Sequence, residues 1–129
     1  MSKLKKAPAA GMAWFEIAAD NPERARKFYS ALFGWKVKPL PGMKDYWHIE
    51  TGGGDGTPEG GLMARCHPKQ SITNYINVSS VARFMAKVWN LGGKICSPRM
   101  TVPGRGYFAM CQDPENNTFA VWEWNKNAK

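Results

Sequence analysis

The stretch Trp14-Phe-Glu-Ile-Ala-Ala-Asp-Asn-Pro-Glu-Arg-Ala-Arg-Lys-Phe-Tyr29, continued by Leu32-Phe-Gly-Trp35, holds a strand, a helix start and a helix stop in one run. Asn21 can cap a helix and Pro22 suits its first position, because the proline lacks an N–H that would have no partner there. Ala25, Phe28, Tyr29, Leu32 and Phe33 recur at helical spacing, and Gly34 ends the run. Upstream, Met12 to Ala18 reads as a strand. Downstream, Trp35–Lys38, Tyr46–Glu50 and Gly61–Ala64 read as three short strands separated by Pro-Gly and glycine-rich turns. The order is β-α-β-β-β.

The second half repeats this order. Asn74–Val78 reads as a strand, and Ser80 caps a helix carrying Val81, Phe84, Met85, Val88 and Leu91, which Gly92-Gly93 stops. Lys94–Cys96, Gly106–Cys111 and Thr118–Trp122 supply three more strands. Leu32-Phe-Gly-Trp-Lys-Val37 and Asn90-Leu-Gly-Gly-Lys-Ile95 align without a gap. Two copies of a unit about 60 residues long are too few and too long for a solenoid. The expected fold is α+β, two tandem βαβββ modules whose mixed sheets form a shared cup, with a helix behind each sheet. The expected organisation is a basic N-terminus over 1–10, one domain over 11–124 (modules about 11–66 and 72–124) and a tail over 125–129.

Composition bounds the function. A chain of 129 residues with 43% hydrophobic and 22% charged residues can build one packed core and is not disordered as a whole. No run approaches the roughly 20 apolar residues of a membrane span, and no apolar signal core follows the basic start. Cys66, Cys96 and Cys111 form no CxxC pair, and their odd number argues for a reducing, cytoplasmic setting. The formal charge of +8 raises the question of nucleic acid. Its residues are scattered, with Lys3, Lys5 and Lys6 at the start and Arg24, Arg26 and Lys27 on the first helix. No helix-turn-helix spacing or RNA-binding aromatic signature accompanies them, so a solvated basic surface is the plainer reading. The surplus favours an anionic ligand.

The opening stretch, together with Leu91-Gly-Gly93, Pro103-Gly104, Gly106-Tyr-Phe-Ala109, Gln112-Asp-Pro114 and Phe119-Ala-Val-Trp-Glu123, resembles the vicinal oxygen chelate superfamily. That superfamily includes glyoxalase I, bleomycin-resistance proteins and extradiol dioxygenases. The resemblance spans residues 11 to 124 and is nearest the glyoxalase-related branch. It implies the paired-βαβββ fold, a small organic ligand in the cup, and homodimers. Metal-dependent members take ligands, His or Glu, from the first and last strands of each module. Carried onto this chain, those positions fall on Trp14, Asn74, Ala120 and a fourth near Gly61. An indole offers no lone pair, alanine offers no donor, and asparagine is a weak ligand. The usual metal site is therefore expected to be lost, and no cofactor is expected. A divalent metal at a displaced site remains the alternative.

Alternation then selects candidate residues. Trp14 and Glu16 should face the cup while Phe15 and Ile17 pack beneath the helix. A carboxylate in a partly apolar cup can serve as general base or acid, so Glu16 is the catalytic candidate. Its structural alternative is a hydrogen bond to a neighbouring strand or a salt bridge. Trp47 and Ile49 should face the helix, turning Tyr46, His48 and Glu50 to the cup. Asn74, Ile76, Tyr107, Ala109, Ala120 and Trp122 should line the second module's part. Trp14, Tyr46, His48, Asn74, Tyr107 and Trp122 are thus the ligand-binding candidates for a flat or apolar small molecule. His48 with Glu50 could alternatively hold a metal or be a polar strand face; His67 reads as a loop residue. Glu123 should turn away from the cup and serve structure. The Gly52–Gly61 run lacks a P-loop's Gly-Lys-Ser/Thr and reads as a hairpin loop, a potential lid. The function expected is a glyoxalase-related small-molecule binder or metal-independent enzyme. The rivals are a divalent-metal lyase or isomerase of the glyoxalase type and a basic nucleic-acid or protein interaction module.

Overall fold

The structure, a computed structural model, describes residues 10–54 and 57–129. The expected basic N-terminus, apart from residue 10, and the middle of the glycine-rich loop lie outside the described residues. The elements are β1 (Met12–Ala19), α1 (Pro22–Phe33), β2 (Lys36–Pro39), β3 (Tyr46–Glu50) and β4 (Glu59–Ala64). They continue with β5 (Ile72–Asn77), α2 (Val81–Asn90), β6 (Lys94–Ile95), β7 (Met100–Val102), β8 (Gly106–Gln112) and β9 (Thr118–Trp124). Two compact units result, one over Trp14–Thr73 and one made of residues 10–13 with Asn74–Lys129.

In the first unit, β1 runs parallel to β4, β3 is antiparallel to β4, and β2 is antiparallel to β3. Helix α1 begins as read: the Asn21 side chain accepts the Arg24 N–H at 3.0 Å, and Gly34 closes it at φ 72°. That left-handed φ is open to glycine without the Cβ clash that other residues suffer. Ile17, Ile49 and Leu62 form the buried core, with Phe15, Trp47, Tyr29 and Trp35 packed against it. The alternation of β1 and β3 therefore holds. One face of β1, β3 and β4 lies under α1, and Trp14, Glu16, Tyr46, His48 and Gly61 belong to the other.

In the second unit, β5 is parallel to β9, β9 antiparallel to β8, and β8 antiparallel to β6 and β7. The core joins Val78, Val81, Ala109, Cys111 and Val121, with Phe84, Met85, Val88, Tyr107 and Phe119 against it. Burial pushes the Cys111 thiol above its ordinary value, and neighbouring Cys96 adds to the effect. The strand β7 was not visible in the sequence; three residues between Pro98 and Pro103 give too little pattern to read. At the β8–β9 turn, Asp113 accepts the N–H groups of Glu115 and Asn117 and the Asn117 side-chain amide at 2.8 to 3.0 Å. These bonds, led by Asn117, hold its carboxyl below the usual range. The segment expected as a C-terminal tail is anchored, with Ala128 buried and its carbonyl accepting the Gly104 N–H at 2.9 Å.

Helix α2 is capped twice. The Ser80 side chain accepts the Arg83 N–H at 3.2 Å, and Glu123, on β9, accepts the Val81 N–H at 2.9 Å. Glu123 thus has the structural role expected of it, a carboxylate set at the positive end of a helix dipole. Glu123→Ala is expected to lower unfolding stability by about 1 kcal/mol, with Glu123→Gln recovering part of it, read by urea denaturation.

Two expectations about facing are corrected here. In β8 and β9, Tyr107 pairs with Glu123 and Ala109 with Val121, so Tyr107 and Ala109 share the α2 face, not the face of Trp122. Tyr107 instead packs on the core and under the Arg99 guanidinium, 4.1 Å above its ring. Asn74 pairs with Phe119 and Ile76 with Val121, which puts both on the α2 side; Asn74 is exposed. The partners of Trp122 on the opposite face are Phe108, paired directly with it, and Tyr75, whose ring contacts Phe108 at 5.8 Å. Asn74 and Tyr75 are adjacent, and a one-residue shift reverses every side chain of a strand.

Candidate functional site

The face of β1, β3 and β4 turned away from α1 is polar at its centre because of the register. Gly61 pairs with Glu16 on one side and His48 on the other, while Trp14 pairs with Glu59. A period of two then puts Trp14, Glu16, Tyr46, His48, Glu59 and Gly61 on one surface.

Their side chains form a connected network. The Trp14 indole Nε1–H donates to Tyr46 Oη at 2.9 Å, and the Tyr46 hydroxyl donates to Glu16 Oε2 at 2.6 Å. The second distance is at the short end of the range for O–H···O hydrogen bonds. The His48 ring stacks on Trp14 with centroids 5.5 Å apart and planes 12° from parallel. His48 Nε2 lies 3.1 Å from Glu59 Oε1, and its Nδ1 lies 4.0 Å from Glu50 Oε1. His48 and Glu59 are 17% and 14% exposed, so the pair is shielded from bulk water, while Glu50 at 42% is not.

Of the candidates named from sequence, Trp14, Glu16, Tyr46 and His48 are therefore brought together. Glu59 belongs with them and was missed. Its position two residues before Gly61 carried the signal, but the glycines around it read as loop. Trp122 belongs to the second unit; it is buried, and its Nε1–H has no hydrogen-bond partner among the described residues. Asn74 and Tyr107 occupy the α2 side as described. His67 lies outside strands and helices and is exposed. Positive charge borders this face, since Lys38 and Lys36 of β2 pair with His48 and Glu50 of β3, while Glu16 and Glu59 stand further in beside the histidine.

The positions at which the resemblance implies metal ligands do not fit an ion. Trp14 gives its N–H to Tyr46, Ala120 is buried without a donor atom, and Asn74 is on the other side of its strand. At Gly61 a side chain has no room: a Cβ built there would overlap Tyr46 Oη and Cζ and lie 2.5 Å from Cε1. Among the described residues no three His, Cys, Asp or Glu side chains converge as a metal-binding group. A separate open groove of about 560 Å³ at the start of α1, bordered by Asp20, Arg24, Phe28, Tyr29 and Arg65, contains none of the candidate residues.

The chain is a two-helix α+β fold of βαβββ and βαββββ halves, with a hydrogen-bonded carboxylate and aromatic rings on one sheet face. A family model described as bleomycin resistance protein-like N-terminal matches residues 12–52. A glyoxylase-like domain-containing protein of Didymella fabae is 34% identical over 114 residues, covering 82% of this chain and 88% of that one. The chain belongs to the glyoxalase and bleomycin-resistance family of the vicinal oxygen chelate superfamily. The anthracycline biosynthesis protein DauV of Streptomyces sp. is 26% identical, and the match covers 85% of this chain and 46% of DauV. This chain thus spans about half the length of that relative. The Mn(II)-bound glyoxalase of Novosphingobium aromaticivorans shares the fold, with a TM-score of 0.66 at 16% identity over 93% of this chain and 40% of that one. No helix among the described residues is long and apolar enough to cross a membrane.

Proposed function

We propose that the chain binds a small, flat organic molecule against the β1–β3–β4 face and acts, as a binder or as an enzyme, without a metal ion. The observation that carries this reading is the Trp14–Tyr46–Glu16 hydrogen-bond chain. It fixes a carboxylate on a face whose implied metal-ligand positions hold an indole and a glycine. If the protein is an enzyme, Glu16 is its acid–base group, receiving a proton from the bound molecule and returning it. Tyr46 orients that carboxylate, and Trp14 with His48 supplies a flat aromatic wall. Glu59 orients His48 through the bond to Nε2.

Two further parts of the reading are narrower. Exposed Phe28, Leu32 and Phe33 on α1 support self-association as a homodimer, which light scattering reads directly. Three unpaired cysteines support a reducing, cytoplasmic setting.

The test uses EDTA-treated protein with two probes: the glutathione hemithioacetal of methylglyoxal, and an anthracycline, chosen because DauV is named for anthracycline biosynthesis. With a turned-over substrate, Glu16→Gln is expected to lower kcat about 10² to 10⁴-fold while affinity changes less than about tenfold. Unchanged turnover would remove Glu16 as the base. With a ligand that is only bound, Trp14→Ala is expected to weaken calorimetric affinity at least about tenfold. Turnover abolished by EDTA and restored by manganese, nickel or zinc would overturn the metal-independent reading.

A further inference from the structure

We infer that Gly61 and Tyr46 are a matched pair: the missing side chain at 61 makes the seat in which the Tyr46 phenol holds Glu16 and Trp14, and this closes the seat to a metal ion. The inference deepens the proposed function and rests on it only for its catalytic consequence.

The geometry is specific to position 61. Gly61 lies on the central strand, paired with Glu16 on β1 and with His48 on β3. Tyr46 pairs with Met63, one step along the same face, so its ring must cross over residue 61 to reach β1. It does so through the volume that a Cβ would fill, since that Cβ would overlap Oη and Cζ. Any side chain at 61 and the observed Tyr46 conformation therefore exclude each other. The neighbouring Gly60 faces the other way; a Cβ there would lie 2.6 Å from the Phe15 ring and the Phe15 carbonyl oxygen. The two glycines have separate causes, one the core and the other the phenol.

The same crossing decides the chemistry of the face. A cation needs lone pairs converging on one point. Here one lone pair of Tyr46 Oη accepts the indole N–H, and Glu16 Oε2 accepts the phenol hydrogen. Trp14, Tyr46 and Gly61 thus act together, the phenol hydroxyl holding Glu16 across the space that residue 61 leaves open. Tyr46 is in this sense a positioning residue, and Gly61 positions Tyr46.

The experiment reads the Trp14 indole N–H by ¹H–¹⁵N NMR, with the resonance assigned by its loss in Trp14→Phe. Gly61→Ala and Tyr46→Phe are both expected to move that resonance upfield, as the bond to Oη is lost. In urea unfolding, Gly61→Ala is expected to lower the midpoint in the native background and to be nearly silent beside Tyr46→Ala. A purely structural glycine would not show this suppression. An unmoved indole resonance in Gly61→Ala, or additive midpoint losses in the double variant, would overturn the pairing. Calorimetry of EDTA-stripped native protein with nickel, zinc and manganese is expected to show no saturable binding, and stoichiometric binding would overturn the exclusion of metal. None of these readouts needs a ligand, so failure of the proposed function would leave them standing.

Discussion

Gly106→Ala is expected to lower unfolding free energy by about 3 kcal/mol or more, enough to remove much of the 5 to 15 kcal/mol typical of a domain. Gly106 opens β8, where it pairs with Trp124 of β9 and Val102 of β7. A Cβ there would overlap the carbonyl oxygen of Glu123, lie 3.1 Å from its carbonyl carbon, and lie 2.8 Å from Trp122 Cζ2. Backbone on a paired strand cannot swing aside as a flexible side chain can. Relief requires β8 to lift from β9, with loss of ladder hydrogen bonds. Because Glu123 also accepts the Val81 N–H, moving β9 loosens the start of α2 as well. Urea denaturation followed by circular dichroism measures the change, and a loss under about 1 kcal/mol would show that the strands yield more readily than this contact implies.

Leu62→Ala is expected to cost about 3 kcal/mol, within the 2 to 5 kcal/mol range of buried leucine truncations. Leu62 is 1% exposed on β4, paired with Ile17 and Trp47, so strands on both sides limit how far the cavity can collapse. The expected fall in Tm is about 10 °C, read by calorimetry. Position 61, one residue earlier, faces the opposite surface and tests a different property. Truncating Leu62 should weaken the fold with the Trp14 indole N–H bond intact, whereas Gly61→Ala should break that bond. A Leu62→Ala protein that lost the indole bond while still folded would show that the two faces are less independent than the register implies.

Much of the fold was legible because its signals are local. Asn21-Pro22 and Gly34 bound α1 as read, Ser80 caps α2, and the alternation of Trp14 to Ile17 and Tyr46 to Glu50 assigned the two faces of those strands. The facing of β5 and β8 was not legible. There, alternation was counted from a repeat alignment. Asn74 lies one residue before Tyr75, which pairs with Ala120 and shares the face of Trp122. Period two turned that single step into an inverted strand. Glu59 was lost for a related reason, since glycine-rich flanks hide a strand start from any propensity argument. The Tyr46–Glu16 bond was beyond sequence altogether. It depends on β4 lying between β1 and β3, and on a glycine at the crossing point, and neither is a local property.

The arrangement of the three thiols also gives the protein an internal clock for opening. Cys66 and Cys96 are exposed, whereas Cys111 is completely buried in the second core, its thiol held further in the neutral form by burial. An alkylating reagent meets two targets at once and reaches the third when β8 separates from α2. The mass of the third adduct, followed over time, reports the opening of that core at Cys111 in native buffer and without denaturant.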